Sequence, residues 1–282
     1  MNDTNDLAPA PWPPARQPVT PARALRAVWR GVRLLTVFAQ GRLALTRFPE
    51  LTPAQRDAVL MNWSRDVLRA LGVQLDVAGE PAPGPVLVVA NHLSWLDIMA
   101  INARTPARFV AKSEIRSWPL VGTLCALSGT LFISREKRSD ARRMVSDLTQ
   151  RLQQGEVMGF FPEGTTGEGN TVLRFYGNLF QSALQSGAPI QPLALRYANA
   201  SGGYCPDTYF GGDVSFAQSV WRVLCAPHVT CQLRFLPALD TTPASPDTSA
   251  PDRNQLARDA HAQISATLAT LDAARSTAPL AS

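Results

Sequence analysis

A histidine and an aspartate five positions apart, His92 and Asp97, are the residues whose types and spacing best suit catalysis. They follow an apolar run at residues 85–90, which is typical of a strand buried on both faces. Functional groups of α/β proteins collect at the carboxyl ends of such strands. The other two histidines, His228 and His261, do not combine a strand-end position with a nearby carboxylate.

The spacing of this pair allows general-base chemistry. With His92 in the turn and Asp97 one turn into the following helix, the imidazole can fold back onto the carboxylate. Asp97 would then hold one ring N–H and stabilise the imidazolium, while the other ring nitrogen takes a proton from a substrate hydroxyl. A histidine that only caps or packs at a helix start is the simpler alternative, because His–Asp pairs are common.

Two further strand ends carry candidate binding groups. Residues 129–135 form a strand pattern that ends in Arg135, whose guanidinium offers a planar fork for a phosphate or carboxylate. Residues 161–165 follow another apolar run, and Gly164 lets the backbone approach a ligand closely. Glu163 can bind a donor group or organise this turn.

Several classes of protein lose support because their motifs are missing. The sequence contains no G-x-S-x-G nucleophile elbow, no Walker loop and no G-x-G-x-x-G after a strand. The cysteines form no C-x-x-C pair and have no histidine at zinc-finger spacing, so we expect isolated thiols in a reducing compartment and no metal site. These cysteines are Cys125, Cys205, Cys225 and Cys231.

The elements that must position these groups alternate between strands and helices. This alternation predicts an α/β fold with a mostly parallel sheet flanked by helices. A helical hairpin is expected in front of it, at about residues 22–47 and 53–71. The expected strands are residues 73–77 at an edge, 85–90, 108–111, 130–134 as a buried strand, 157–161, 189–197 and 229–235, and later helices span about residues 140–154 and 254–271.

Composition divides the 282 residues into segments. Residues 1–20 are polar and proline-rich, which predicts disorder. Residues 21–72 form the N-terminal helical segment, which is expected to associate with a membrane, and residues 73–240 form the main domain. Residues 241–253, rich in Thr, Ser, Pro and Asp, are expected to link this domain to a C-terminal helix at residues 254–272.

The positive charge is concentrated in the N-terminal arm, residues 1–48. The arm holds seven arginines against two aspartates, a net +5 that equals the charge of the whole chain. Because apolar residues separate these arginines, the arm suits an anionic membrane surface, and nucleic acid is not expected as a partner. Its longest uncharged apolar stretch, residues 34–40, is far shorter than the roughly 20 residues of a spanning helix. We expect a peripheral or monotopic protein on the cytoplasmic face of the inner membrane.

Four segments together resemble the ordered blocks of the glycerolipid acyltransferase family, typified by 1-acylglycerol-3-phosphate acyltransferase. Residues 91–97 (NHLSWLD) match its N-H-x4-D block, and residues 129–135 (GTLFISR) resemble the block that ends in arginine. Residues 161–165 match F-P-E-G-T, and residues 188–192 (APIQP) resemble the proline block. Four blocks in the family's order form a specific signal that spans residues 91–192.

The resemblance implies a role for each matching residue. His92 would be the general base on the acceptor hydroxyl, with Asp97 as its orienter, and the hydroxyl would attack an acyl thioester without a covalent enzyme intermediate. The acceptor-headgroup site would consist of Lys112, Arg135, Glu163, Gly164 and Thr165. The acceptor would be a lysophospholipid, 1-acylglycerol-3-phosphate, which gives phosphatidic acid. The donor would be acyl-CoA or acyl carrier protein, with no metal and no other cofactor.

The chain departs from the family pattern after F-P-E-G-T. Many members continue with Arg-Ser, whereas residues 166–170 are TGEGN, which replaces a positive charge by a negative one beside the implied phosphate site. This version is similar to relatives that acylate lyso-ornithine lipid, so lyso-ornithine lipid O-acylation is the alternative function. A non-catalytic membrane-surface protein that binds lipid through its basic helix is a third hypothesis, which the intact His92–Asp97 pair disfavours.

Overall fold

The computed structural model describes residues 16, 18–117, 122, 125, 129–133, 138–242 and 251–276. Its helices are α1 (Pro21–Thr46), α2 (Pro53–Leu71), α3 (Leu96–Asn102), α4 (Arg138–Gln153), α5 (Gln181–Ser186), α6 (Phe216–Cys225) and α7 (Arg253–Ser276). Its strands are β1 (Val73–Ala78), β2 (Val86–Ala90), β3 (Arg108–Lys112), β4 (Leu131–Ile133), β5 (Val157–Phe160), β6 (Ile190–Ala198) and β7 (Val229–Phe235).

The strands form one sheet in the order β1-β7-β6-β2-β5-β3-β4. Neighbouring strands are parallel except β6 and β7, which are antiparallel. The carboxyl ends of β6, β2, β5, β3 and β4 therefore meet at one edge of the sheet. This confirms the expected α/β fold with a mostly parallel sheet, and it brings the segments that follow β2 and β5 to a common edge. The proline block, residues 188–192, instead includes the start of β6.

Strand β2 is buried along its whole length, as its continuous apolar sequence predicts. Successive side chains of a strand point to opposite faces. Val86, Val88 and Ala90 accordingly belong to a core shared with α2, α3 and α6. Leu87 and Val89 belong to the opposite core, shared with α4, α5 and α7. Helices thus cover both faces of the strand that leads to the candidate histidine.

The expected N-terminal helical hairpin is present, and its second helix has clear sequence boundaries. The Thr52 hydroxyl accepts from the Gln55 N–H while the Gln55 side chain accepts from the Thr52 N–H, so the pair forms a capping box. Gly72 ends α2 with a φ of 73°, a left-handed conformation that glycine adopts readily.

Helix α1 packs against α2 and α6, and its arginines contribute to this docking. Buried Arg23 donates to the carbonyl of Cys225 at 3.0 Å and to the carboxylate of Asp207 at 3.0 Å. Arg30 donates to the carbonyl of Ala226 at 2.6 Å. Part of the positive charge that the sequence assigns to an anionic surface therefore forms contacts within the protein instead.

The structure corrects one strand prediction. Residues 130–134 are expected as a buried strand, but β4 pairs only with β3, at the edge of the sheet, and its residues are half-buried. An edge strand has one neighbour, so its apolar run is only partly covered. The edge position expected for β1 is confirmed.

Parts of two predicted segments fall outside the described residues, namely residues 1–15 and 17 of the expected disordered start and residues 243–250 of the expected linker. Among the helices that the structure describes, none is long and apolar enough to cross a membrane.

Candidate active site

The candidate site lies where β2 and β5, two parallel neighbours, end at the same edge of the sheet. The first residue after β2, Asn91, is buried, and its amide bonds both backbone groups of Leu195 on β6. Its Nδ2 donates to the Leu195 carbonyl at 2.9 Å, and its Oδ1 accepts from the Leu195 N–H at 2.8 Å. This amide fixes the point at which the histidine loop leaves the sheet.

Asp97 is fully buried in the first turn of α3 and accepts four hydrogen bonds. Its Oδ2 accepts from His92 Nδ1 at 2.8 Å and from the N–H groups of Leu93 at 2.7 Å and Ser94 at 2.9 Å. Its Oδ1 accepts from the Tyr197 hydroxyl at 2.7 Å. All four contacts use the carboxylate oxygens as acceptors, so the ring nitrogen that faces them, Nδ1, is the donor and carries the proton. The expected fold-back of the imidazole onto the carboxylate is present.

The imidazole of His92 is oriented by a second contact. Its ring stacks on Phe161, with centroids 3.9 Å apart and planes 9° apart, and Phe161 in turn stacks on Phe109 at 5.3 Å. The His92 side chain keeps 20% of its surface exposed. Nε2 forms no hydrogen bond with any residue that the structure describes. The ring is therefore held in one plane while a substrate can still reach its second nitrogen.

Glu163 lies beside this pair in a different environment. It is 4% exposed, and its Oε1 accepts from the His92 N–H at 3.2 Å. Its Oε2 is buried and has no hydrogen-bond partner among the described residues. Burial raises the pKa of Glu163 to about 8; the backbone N–H groups of His92 and nearby Leu173 oppose this rise, and the negative charge of Asp97 adds to it. Near pH 7 the group is mainly a neutral acid that can donate a proton from the unpartnered oxygen.

The histidine and glutamate line a cavity of about 920 Å³. The predicted site residues in its wall are His92, Lys112, Glu163, Gly164 and Thr165. Apolar side chains such as Ile98, Val110 and Phe160 complete much of the wall. Five of the seven predicted site residues thus share one cavity, and Asp97 lies behind His92. The remaining one, Arg135, lies outside the described residues.

The loop after β5 turns sharply at Gly164, whose φ of 71° lies in the left-handed region. The Gly164 N–H donates to the Phe161 carbonyl at 3.1 Å, and in this turn Glu163 is buried while Thr165 is exposed at the cavity. Gly167 donates to the His92 carbonyl at 2.7 Å and joins the two loops. Glu168, the acid that distinguishes this loop in sequence, is exposed and is not part of the described cavity wall.

Sequence reasoning missed three contributions to the site. The Tyr197 hydroxyl bonds Asp97, the Phe161 ring orients His92, and the Asn91 amide fixes the loop. A tyrosine inside an apolar strand signals that its hydroxyl needs a buried partner, but the sequence does not say which one. Among the described residues, no group of three or more His, Cys, Asp or Glu side chains could hold a metal ion.

The chemistry of this edge agrees with comparisons with known proteins. Residues 74–196 match the protein-family model described as Acyltransferase. This range includes all seven predicted site residues, and together with the fold it defines the chain as an acyltransferase.

Individual relatives narrow the class. The 1-acyl-sn-glycerol-3-phosphate acyltransferase of Neisseria meningitidis is 38% identical over 67% of this chain and 74% of that protein. The lyso-ornithine lipid O-acyltransferase of Pseudomonas aeruginosa is 34% identical over 85% of this chain and 92% of that protein. The chain therefore belongs to the glycerolipid acyltransferase family.

A solved structure supports the fold. The crystal structure of the 1-acyl-sn-glycerophosphate acyltransferase PlsC from Thermotoga maritima superposes with a TM-score of 0.64 at 20% identity. It covers 89% of this chain and 97% of the other. The similarity includes the α/β core and extends over most of the described chain.

Proposed function

We propose that this acyltransferase uses His92 as the general base and Asp97 as its orienting partner. The observation that carries the proposal is the 2.8 Å hydrogen bond between His92 Nδ1 and a fully buried carboxylate. Because that bond fixes the proton on Nδ1, Nε2 is the basic nitrogen, and it belongs to a side chain that lines the cavity.

The chemistry is a direct transfer. The acceptor hydroxyl gives its proton to Nε2 while its oxygen attacks the carbonyl carbon of the acyl thioester. Asp97 stabilises the imidazolium that forms. When the tetrahedral intermediate collapses, the C–S bond breaks and the thiolate takes the proton from Nε2. The products are an ester and a free thiol from acyl-CoA or acyl carrier protein, and neither a covalent enzyme intermediate nor a metal ion takes part.

The acceptor that we favour is 1-acylglycerol-3-phosphate, which gives phosphatidic acid. Lys112 supplies a cation at the cavity, and Glu163, whose pKa is about 8, is mainly neutral near pH 7 and does not repel a phosphate. Glu168, the acid that the sequence places beside this site, is exposed and lies outside the described cavity wall, so solvent weakens its repulsion of an anionic headgroup. Gly164, Thr165 and Arg135 complete the proposed headgroup site.

Lyso-ornithine lipid is the second candidate acceptor. The relative with this acceptor in its name matches 85% of this chain, whereas the Neisseria relative matches 67%. The loop at residues 166–170 lacks the Arg-Ser that many family members carry, which leaves fewer cations for a phosphate. The two candidates share the His92 chemistry and differ in the acceptor lipid.

An acyl-transfer assay with both acceptors in parallel decides between them. Purified protein is incubated with one acyl-CoA and with lysophosphatidic acid or lyso-ornithine lipid, and mass spectrometry identifies the products. Faster turnover of lysophosphatidic acid is the expected result. Turnover of lyso-ornithine lipid alone would keep the chemistry and reassign the headgroup, while no product from either would contradict the proposed acceptor class.

We also propose that α1 holds the enzyme on an anionic membrane surface, at the cytoplasmic face of the inner membrane. An apolar stripe recurs at three- and four-residue spacing along its outer side, with exposures of 73% at Leu25, 64% at Trp29 and 68% at Leu35. Arg33 and Arg42 are exposed on the same helix. Such a helix lies in the interface with its apolar side among the acyl chains.

Vesicle flotation tests this anchor. The double variant Leu25→Ser/Trp29→Ser removes two large exposed apolar groups, so partitioning onto anionic phospholipid vesicles should fall at least roughly tenfold. Turnover of a short-chain, water-soluble acceptor and the melting temperature serve as controls and should not change. Unaltered partitioning would reject α1 as the anchor.

A further inference from the structure

The carboxylate of Asp97 is bound very differently at its two oxygens. Oδ2 receives three hydrogen bonds, all from its own loop, namely from His92, Leu93 and Ser94. Oδ1 receives one from the described residues, from the Tyr197 hydroxyl at 2.7 Å. Tyr197 lies 100 positions later in the chain, on β6. The Oδ1 atom of the carboxylate therefore depends on a residue that does not belong to the histidine loop.

The register of the sheet explains how β6 reaches this position. The last residue of β2, Ala90, pairs with Leu193, but β6 continues to Ala198. Its overhanging part runs beside the histidine loop, where Leu195 bonds the Asn91 amide and Tyr197 bonds Asp97. Tyr197 is held on its other side by β7, because it pairs with Cys231 in the antiparallel register.

We propose that Tyr197 is a positioning residue for acyl transfer, which fixes the Asp97 carboxylate through Oδ1 and so holds His92 in its base-competent orientation. This inference rests on the proposed general-base role of His92. Tyr197 is fully buried and does not line the described cavity, so it acts through Asp97 and not on the substrate.

The titratable groups around this carboxylate come from four elements. His92 bonds it from its own loop, Glu163 faces it from the loop after β5, and Tyr197 faces it from β6 with Cys231 of β7 behind. Burial raises the pKa of Tyr197 well above its ordinary value and also raises the pKa of the Cys231 thiol. Both stay protonated over the working range. Because the pKa of Glu163 is about 8, its titration affects the alkaline limb of the pH–rate profile. The profile is therefore also measured in a Glu163→Gln background, which lacks this titration.

The test is the pH dependence of kcat/KM for Tyr197→Phe. The substitution keeps the ring and removes only the donor, so the singly charged Asp97–His92 pair loses stabilisation and takes up a proton more readily. We expect kcat to fall roughly 10- to 100-fold with little change in KM, and the acid limb of kcat/KM to move to higher pH by about one unit. Tyr209→Phe, the same change at a half-buried tyrosine outside the cavity wall, should leave both unchanged.

A second substitution keeps the aromatic ring and should shift the acid limb in the opposite direction. Replacing Tyr197 by 3-fluorotyrosine makes the hydroxyl a stronger donor, so the acid limb should move to lower pH. A limb that stays in place in both variants would overturn the inference, even if kcat falls, because loss of packing alone would not shift it. His92→Ala in the same assay separates the general-base proposal from the inference about Tyr197. An active His92→Ala protein contradicts the general-base proposal. An inactive His92→Ala protein together with a normal pH profile for Tyr197→Phe contradicts only the role of Tyr197.

Discussion

Asp97 and Glu163 are both buried carboxylic acids in segments that follow two neighbouring parallel strands, yet their surroundings differ sharply. Asp97 accepts four hydrogen bonds, two of them from backbone N–H groups. Glu163 accepts one at 3.2 Å and leaves one buried oxygen unpartnered, and its pKa rises to about 8. Burial with few hydrogen-bond donors therefore raises the pKa of Glu163.

The difference assigns different tasks to the two acids. Asp97 accepts an imidazole N–H and can stabilise an imidazolium, whereas the neutral Glu163 can lie beside an anionic headgroup and donate a hydrogen bond to it. His92 links the two acids, since its backbone N–H donates to Glu163 while its ring donates to Asp97.

The largest expected effect comes from replacing Asp97, the acid that accepts four hydrogen bonds. Asp97→Asn keeps the size of the side chain but removes the negative charge that holds the Nδ1 proton and stabilises the imidazolium. We expect kcat to fall roughly 10³- to 10⁴-fold. Asp76→Asn, at a carboxylate that pairs with Arg234 on the far edge of the sheet, is the matched control and should keep normal turnover. More than a tenth of the activity in Asp97→Asn would mean that the orienting carboxylate is dispensable.

Replacing Glu163, the acid with few hydrogen-bond donors, should change how the free energy of unfolding depends on pH. The folded protein keeps the Glu163 proton up to about pH 8, whereas an unfolded chain releases it near the ordinary value of 4.5. The folded state thus binds more protons between these values, and the free energy of unfolding falls as pH rises through that window. Glu163→Gln should remove this fall, on the order of 2–4 kcal/mol, in urea unfolding series at several pH values.

Glu114→Gln is the control for this measurement, because Glu114 lines the same cavity but is exposed. Its pH dependence should match that of the unaltered protein. An equal pH dependence in Glu163→Gln would show that Glu163 is already ionised in the folded state and would remove the distinction between the two acids.

A smaller effect is expected where the two loops touch through Phe161. Phe161→Leu keeps apolar bulk but removes the stacked ring, so the imidazole of His92 loses one of its two restraints. A roughly 3- to 10-fold lower kcat with an unchanged melting temperature is the expected outcome. Phe175→Leu, which alters another Phe–His pair with centroids 5.1 Å apart, is the matched control. Equal activities of the two variants would contradict an orienting role for Phe161.

Part of this comparison between Asp97 and Glu163 could be predicted from the sequence, but not all of it. The apolar run of β2 and the strand-end positions of His92 and Glu163 are local patterns, so the α/β fold and the common edge could be predicted from them. The family resemblance supplied the roles, and the cavity brings five of the seven named residues together. Arg135 lies outside the described residues, so its role stays a prediction.

The charge states of the two acids could not be predicted, because they depend on donors that are distant in sequence. Tyr197 reaches Asp97 only through the overhang of β6 past β2. The lack of a partner at Glu163 Oε2 is likewise a property of the packed loops. The half-buried edge position of β4 depends on strand order, which its apolar sequence does not contain.

The most direct test of the general-base assignment compares single-turnover acyl transfer by the unaltered protein and His92→Ala. A purified, folded His92→Ala protein should transfer acyl groups roughly 10³-fold more slowly, because no other histidine is among the described residues that line the cavity. His228→Ala, which removes a ring bonded to Thr230, should transfer at the normal rate. Transfer by His92→Ala at more than a tenth of the normal rate would contradict the account.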